Sequence, residues 1–301
     1  MRKYLKRYRN RHLFFKKIYF MPIIFMILFS FSILINQIGS CLSNEESILY
    51  VSSSGDENFS TIQDGIDTAH SGDTIFVYNG TYFENIVIDK KISLLGENIN
   101  TTIIDGRGSG NVIKINVDHV TIQGFTIRHS GLIFPNAGIN CSSNYNIITE
   151  NLIINNFYGI TLYHSLNNII TENTIQNNNH CGIYMSRSSY NTIIGNTIQY
   201  HPYNGIGIYD YSDNNTIQCN SLTNNDYCGC NIRTSSNNTI INNTIRDNNI
   251  GIRNPSTENI ISGNVFSNNN KNVEQKPLTP GFEIVLVISC ILLVVFLKQK
   301  Q

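Results

Sequence analysis

Asn146-Ile-Ile-Thr-Glu-Asn-Leu-Ile153 returns as Asn168-Ile-Ile-Thr-Glu-Asn-Thr-Ile175, and again, with substitutions, from Asn191, Asn215, Asn238 and Asn259, at intervals of 21 to 24 residues. Each copy but the last is followed by a glycine and a short aliphatic stretch: Gly159-Ile-Thr-Leu162, Gly182-Ile-Tyr-Met185, Gly205-Ile-Gly-Ile208, Gly229-Cys-Asn-Ile232 and the shortened Gly251-Ile252. An imperfect earlier copy runs from Val120 through Ile127 to Gly138-Ile-Asn-Cys141. The β-branched stretches are too short for helices and are separated by Asn, Gly and Ser, which are turn residues. A unit of this size cannot bury its own apolar face, so it must stack on its neighbours. Leucine-rich repeats have a similar period but need Leu at fixed offsets and a helix, whereas the recurring residue here is the strand-former Ile. The expected fold is all-β: a single-stranded right-handed parallel β-helix, one rung per repeat, with rungs about 4.8 Å apart.

Stacking turns sequence positions into columns. Three inward columns read Ile148, Ile170, Ile193, Ile217, Ile240, Ile261; Ile153, Ile175, Ile198, Leu222, Ile245, Phe266; and Ile160, Ile183, Ile206, Cys230, Ile252. Each buried Ile contributes about 1.5–3 kcal/mol. An asparagine column accompanies them: Asn151, Asn173, Asn196, Asn220, Asn243, Asn264. A carboxamide both donates and accepts, so identical Asn residues bond along a stack, whereas stacked Asp residues would repel. Of the seven cysteines, Cys141 and Cys230 fall on inward columns. Cys181 and Cys228 share a column two rungs apart, roughly 9–10 Å, beyond disulfide reach. No disulfide framework is expected, and Cys228-Gly-Cys230 is too tight for a zinc knuckle.

The 21 basic and 21 acidic residues cancel, and only 14% of residues are charged. With the basic residues gathered at the start, no nucleic-acid surface is expected. Met1 to Lys17 is basic and an apolar run follows from about Ile18 to Ile38, so residues 1–40 read as a signal peptide or signal anchor. A second apolar run, 282–297, follows a short linker, 273–281, and precedes the lysine-bearing tail 298–301. Basic residues outside both runs put both ends inside the membrane and everything between them outside the cell. Pro280-Gly281-Phe282, the apolar run and the lysines resemble the PGF-CTERM sorting tail of archaeal surface proteins. That resemblance implies a sorting enzyme that removes the tail; an ordinary anchor is the alternative.

Residues 45–131 are expected to hold an N-terminal cap and the first rungs, and 132–272 the regular rungs. Phe59-Ser-Thr-Ile-Gln63 opens a short helix, with Ser60 and Gln63 as a capping box and Ile62, Ile66 and Ala69 on one face. It would cover the open end of the first rung. Strands are expected at 74–77, 85–88, 92–94 and 102–104. The motifs Ser60-Thr-Ile-Gln63, Gly72-Asp-Thr-Ile75, Gly80-Thr-Tyr-Phe-Glu-Asn85, Ile104-Asp-Gly106 and Val120-Thr-Ile-Gln-Gly-Phe125 resemble the right-handed β-helix family related to NosD and pectate lyases. The resemblance spans about Ile48 to Asn270. It implies carbohydrate binding or sugar-active chemistry in some members and copper-enzyme maturation for NosD.

The acidic pattern offers no convergent catalytic trio. Glu150 and Glu172 stack, Asp210 and Asp213 share a turn, and Asp226 and Asp247 precede glycines. A calcium-dependent lyase or epimerase, or a hydrolase with paired carboxylates, therefore stays an alternative to a non-catalytic module. The outward side of the glycine-led strand and its exit carries Tyr163, His164, Tyr184, Arg187, Tyr209, Asp210 and Arg233, aromatic and hydrogen-bonding groups suited to sugar rings. A metal reading places His164, His180 and His201, with Cys181 and Cys228, near one edge, where copper would be accepted. No clear motif supports calcium or copper, and no cofactor is expected. Partners are the membrane at both ends and cell-envelope polysaccharide. Sequons begin at Asn58, Asn79, Asn100, Asn140, Asn214, Asn237 and Asn242.

Overall fold

The computed structural model describes residues 47–275; the apolar ends and the Pro280-Gly-Phe282 motif lie outside the described residues. Twenty-eight strands form three parallel sheets of ten, nine and nine strands, wound as a right-handed β-helix of about ten turns. Strand pairing reproduces the sequence columns. Ile148, Ile170, Ile193, Ile217, Ile240 and Ile261 are successive partners in the first sheet. In the second sheet, Ile153 leads through Ile175, Ile198, Leu222 and Ile245 to Phe266. In the third, Ile160, Ile183, Ile206, Cys230 and Ile252 align. The side chains from rungs before the last form one buried cluster, against which Ile261 and Phe266 pack half-buried. The stack runs unbroken from the irregular early rungs into the regular ones, since Ile113 pairs with Ile86 on one side and Ile139 on the other.

At the corners between sheets the strand ladder stops and backbone groups need other partners. Most regular corners have a residue in the left-handed region followed by an Asn or Ser. One corner series runs Tyr145, Asn167, Tyr190, Asn214 and Asn237, with φ between 55° and 59°. Such residues cost about 1–2 kcal/mol unless they are Gly, Asn or Asp, and the residue that follows offsets that cost. Asn196 shows how. Its Oδ1 accepts from the backbone N–H and the side-chain amide of Asn173, both at 3.0 Å. Its amide donates to the carbonyls of Ile170 at 2.8 Å and Ile194 at 3.1 Å, and to Asn220 Oδ1 at 3.0 Å. Two further asparagine columns begin at Asn146 and Asn156. A serine column runs Ser165, Ser188, Ser212, Ser235.

His201 interrupts the column that starts at Asn156. It is 1% exposed. Its Nδ1 accepts from the Asn178 backbone N–H at 3.2 Å, and its Nε2 faces the Ile175 carbonyl at 3.2 Å. The Asn225 Oδ1, which another asparagine would use, has no partner. Burial drives the His201 pKa down to about 4, so the ring is neutral. The glycines that lead the third-sheet strands sit against these corners: a Cβ at Gly205 would lie 2.7 Å from the Gly229 carbonyl and 2.9 Å from the Asn225 amide.

The helix spans Ile62–Thr68, with Ile62 and Ile66 buried. The cap differs from the sequence reading, because Thr61, not Ser60, accepts the Asp64 N–H, at 3.2 Å. The expected capping-box partner Gln63 instead reaches Asp67 and the Val87 carbonyl. Two long-range side chains close the helix. Glu84 takes the N–H groups of Ile62 and Gln63 at 2.9 and 3.0 Å, and Lys90 donates to the Ile66, Asp67 and Ala69 carbonyls. Opposite charges at the two helix ends complement its dipole.

Candidate functional site

The outward face of the third sheet carries two aromatic files that climb the axis. One holds Phe157, His180, Tyr203 and Tyr227, with ring centroids 5.5, 4.6 and 5.1 Å apart. The Arg253 guanidinium closes it, bonded to the Tyr227 hydroxyl and 5.9 Å from its ring centre. The other holds Tyr158, Tyr184 and Tyr209, 5.0 and 5.2 Å apart. These spacings are close to the rung spacing of a parallel sheet, so the files follow from placing one ring per rung. Between them runs a floor of buried Cys181, Asn204 and Cys228.

Tyr209 does not stand up from the sheet. Its ring lies back over Gly207, where a Cβ would come within 2.4 Å of Cε2 and 3.0 Å of Cζ. Its hydroxyl accepts from the Asn204 amide at 2.8 Å and the Asn231 amide at 3.3 Å. The ring is thereby pinned as a plate along the strand Asn204–Tyr209. Above the plate an open cleft of about 350 Å³ is lined by His180, Tyr184, Tyr203, Tyr209, Asp210, Arg233 and Thr234. Asp210 is held by the Ser186 hydroxyl at 2.9 Å. Burial raises the pKa of Tyr184 and Tyr209 and lowers that of His180, so near neutral pH the phenols keep their protons and the imidazole is uncharged.

Of the seven residues read from the sequence as a sugar-binding surface, Tyr184, Tyr209, Asp210 and Arg233 line this cleft. Tyr163 and His164 lie one rung earlier and Arg187 on the rung of Tyr184, with Arg187 Nη1 3.5 Å from His164 Nε2, and none of the three lines the cleft. Tyr203, Thr234 and Gly207 were not singled out. A signal existed for Gly207, since it occupies the outward position that is Thr161, Tyr184 and Asn231 in adjoining rungs.

The metal trio is not assembled. His201 points into the asparagine column with both ring nitrogens facing backbone groups, whereas His180 stands in the aromatic file and His164 at an exposed corner. Among the described residues no three His, Cys, Asp or Glu side chains form a metal-binding group. His180 Nδ1 and Cys181 Sγ come within 3.1 Å, but that is two donors, with the thiol pushed up to about 12 by burial. The five described cysteines are unpaired. Glu150 and Glu172 are exposed at successive corners. Among the sequons, Asn140 is a correction: it is buried in the strand Ala137–Cys141 with its amide donating to Thr161 at 2.8 Å, leaving no room for a glycan. Asn58, Asn79, Asn100, Asn214, Asn237 and Asn242 are exposed.

The family model described as "Periplasmic copper-binding protein (NosD)" matches residues 66–279, most of the coil. The chain belongs to the NosD family. Solved structures similar to this NosD-family chain share its coil. The alginate lyase from Paenibacillus sp. str. FPU-7 has 15% identity and TM-score 0.53, over 76% of this chain and 98% of that one. A pectate lyase, Pel9A, has 14% identity and TM-score 0.52, over 78% and 81%. The catalytic unit of a GH87 alpha-1,3-glucanase from Streptomyces thermodiastaticus has 16% identity and TM-score 0.60, over 68% of this chain and 42% of that one. At such identities the likeness establishes the fold alone. No curated protein matches the sequence. The copper in the family description finds no fitting donor set among the described residues of this NosD-family chain, for the geometric reasons above. The family description is of a periplasmic protein, which is consistent with an extracytoplasmic location. Among the described residues no helix is long and apolar enough to cross a membrane.

Proposed function

We propose that this protein is a non-catalytic carbohydrate-binding module of the cell envelope, held outside the membrane by its apolar ends, and that its cleft takes a glycan chain lying along the coil axis. One observation carries the reading: Tyr209 lies flat over Gly207, with Tyr184 and Tyr203 beside it and Asp210 and Arg233 at the rim. A pinned aromatic plate offers an apolar face for the C–H side of a sugar ring, and its polar neighbours suit hydroxyl groups. Because the aromatic files continue over several rungs, they favour a chain over a single sugar. Fixed rings also lose little freedom on binding, which preserves affinity.

A glycan array probed with wild-type protein and with Gly207→Ala tests this. The added methyl displaces the Tyr209 plate. Binding should fall at least about tenfold, a loss of one stacking contact of about 1.4 kcal/mol, with the circular dichroism unchanged. Equal binding by the variant, or no wild-type binding to any glycan, sinks the reading. Unsaturated sugar ends appearing during incubation would replace it with a lyase.

A further inference from the structure

Around the corner from the cleft, three to four rungs nearer the N-terminus than its centre, a second cluster faces solvent. Asp105 is 4% exposed and receives three donors: the Arg107 backbone N–H at 3.0 Å, Arg128 Nε at 2.8 Å and His129 Nδ1 at 2.9 Å. Burial alone would raise its carboxyl, but these hydrogen bonds outweigh burial and hold it below the ordinary carboxylate range. Its two oxygens are thus committed inward. The groups they hold are not. Arg128 and His129 have side chains 30% and 44% exposed. The bonds to Asp105 use Arg128 Nε and His129 Nδ1, which leaves the Arg128 Nη groups and His129 Nε2 outside them. Asp105 and Arg128 are partners in one outward column of the second sheet, and Phe83 directly follows the neighbouring strand Gly80–Tyr82. Over Phe83 lies the Arg107 guanidinium, 4.2 Å from the ring centre and with no ion pair among the described residues. Two cation-forming side chains, Arg128 and His129, are therefore held by one buried carboxylate, and Arg107 is tied to the same carboxylate through its backbone N–H.

We propose that Arg107, Arg128 and His129 form an oxyanion-binding site, with Asp105 as the buried strut that orients Arg128 and His129. The ligand is a small oxyanion, a sulfate, phosphate or carboxylate group. The Arg128 outer edge supplies the two parallel N–H donors that such groups accept, and the ring under Arg107 holds the second guanidinium without consuming its donors. The site is independent of the glycan reading, because none of its residues lines the cleft.

Calorimetric titration of the full chain with sodium sulfate, sodium phosphate and sodium glucuronate, at constant ionic strength in chloride, tests the assignment and ranks the three chemistries. Saturable binding of at least one is expected at pH 7. Arg128→Gln should weaken it about tenfold or more, and Arg128→Lys should recover only part, because the fork is lost while the charge remains. Arg246→Gln is the control: it sits in the same outward column on a later rung and is paired with Asp247 at 3.0 Å. Absence of saturable binding for all three anions overturns the proposal. So does equal weakening by Arg246→Gln, which would mark a general charge effect.

Discussion

Replacing Asn196 tests the column that holds the corners. The side chain is 1% exposed and takes part in five hydrogen bonds, two accepted and three donated. In Asn196→Ala the Asn173 backbone N–H loses its acceptor and the Ile170 carbonyl loses a donor, both in a buried setting. Each orphaned group costs about 1–3 kcal/mol, so the variant should be about 4 kcal/mol less stable. Asn196→Asp is the sharper perturbation. A carboxylate still accepts from Asn173, but it turns a second oxygen toward the Ile170 and Ile194 carbonyls and Asn220 Oδ1, all of them acceptors. At pH 7 it should therefore be worse than alanine, by the cost of a buried charge without a partner on that side. Burial and these acceptors raise the Asp pKa, so lowering the pH toward 4 should restore part of the loss, through a proton the carboxyl then donates. Urea denaturation followed by circular dichroism at pH 7 and pH 4 measures both. A cost below about 1 kcal/mol for alanine, or aspartate tolerated at pH 7, refutes the claim that the column satisfies the corner backbone.

Three further outcomes follow from the same geometry. His201 is neutral when folded, with a pKa near 4 against 6.5 when unfolded. The unfolded chain binds the extra proton, so this histidine's stability contribution, present above pH 6.5, is lost as pH falls toward 4. His201→Asn should remove about 3 kcal/mol of acid sensitivity across that window and give Asn225 Oδ1 its donors; an unchanged pH–stability profile counts against the assignment. Gly205→Ala drives a methyl to 2.7 Å from the Gly229 carbonyl and should cost about 1–3 kcal/mol by overpacking, read as a lower urea midpoint. Cys219 is exposed whereas Cys141, Cys181, Cys228 and Cys230 are buried. Among these five, a thiol reagent on folded protein should label Cys219 first, as peptide mapping would show; early labelling of Cys181 would contradict the packing.

The coil was legible because its determinants repeat. Ile at one offset and Asn at another, copied every rung, place core and corner without any knowledge of distant contacts. Features set by a single side chain reaching across rungs were less legible. The helix cap is an example, since Glu84 and Lys90 reach it from other parts of the chain and no local pattern announces them. His201 was misread for the opposite reason. Its column, Asn156, Asn178, His201, Asn225, Asn248, was present in the sequence, but a lone histidine suggested chemistry more strongly than it suggested a substituted asparagine. Half of the cleft was found through outward Tyr and Arg positions. The other half depended on Gly207, where the missing side chain decides how Tyr209 lies.

The asparagine columns also bear on how such a chain changes length. Each regular turn presents carbonyl oxygens to the turn before it and amide donors to the turn after it, so adjoining turns are joined by interchangeable couplings. A duplicated or deleted turn leaves both flanking surfaces chemically matched, whereas gaining or losing one residue inside a strand would reverse every inward side chain beyond it. Length variation among its kin should therefore come in whole turns, with the capped beginning kept and the cleft shifted up or down the stem.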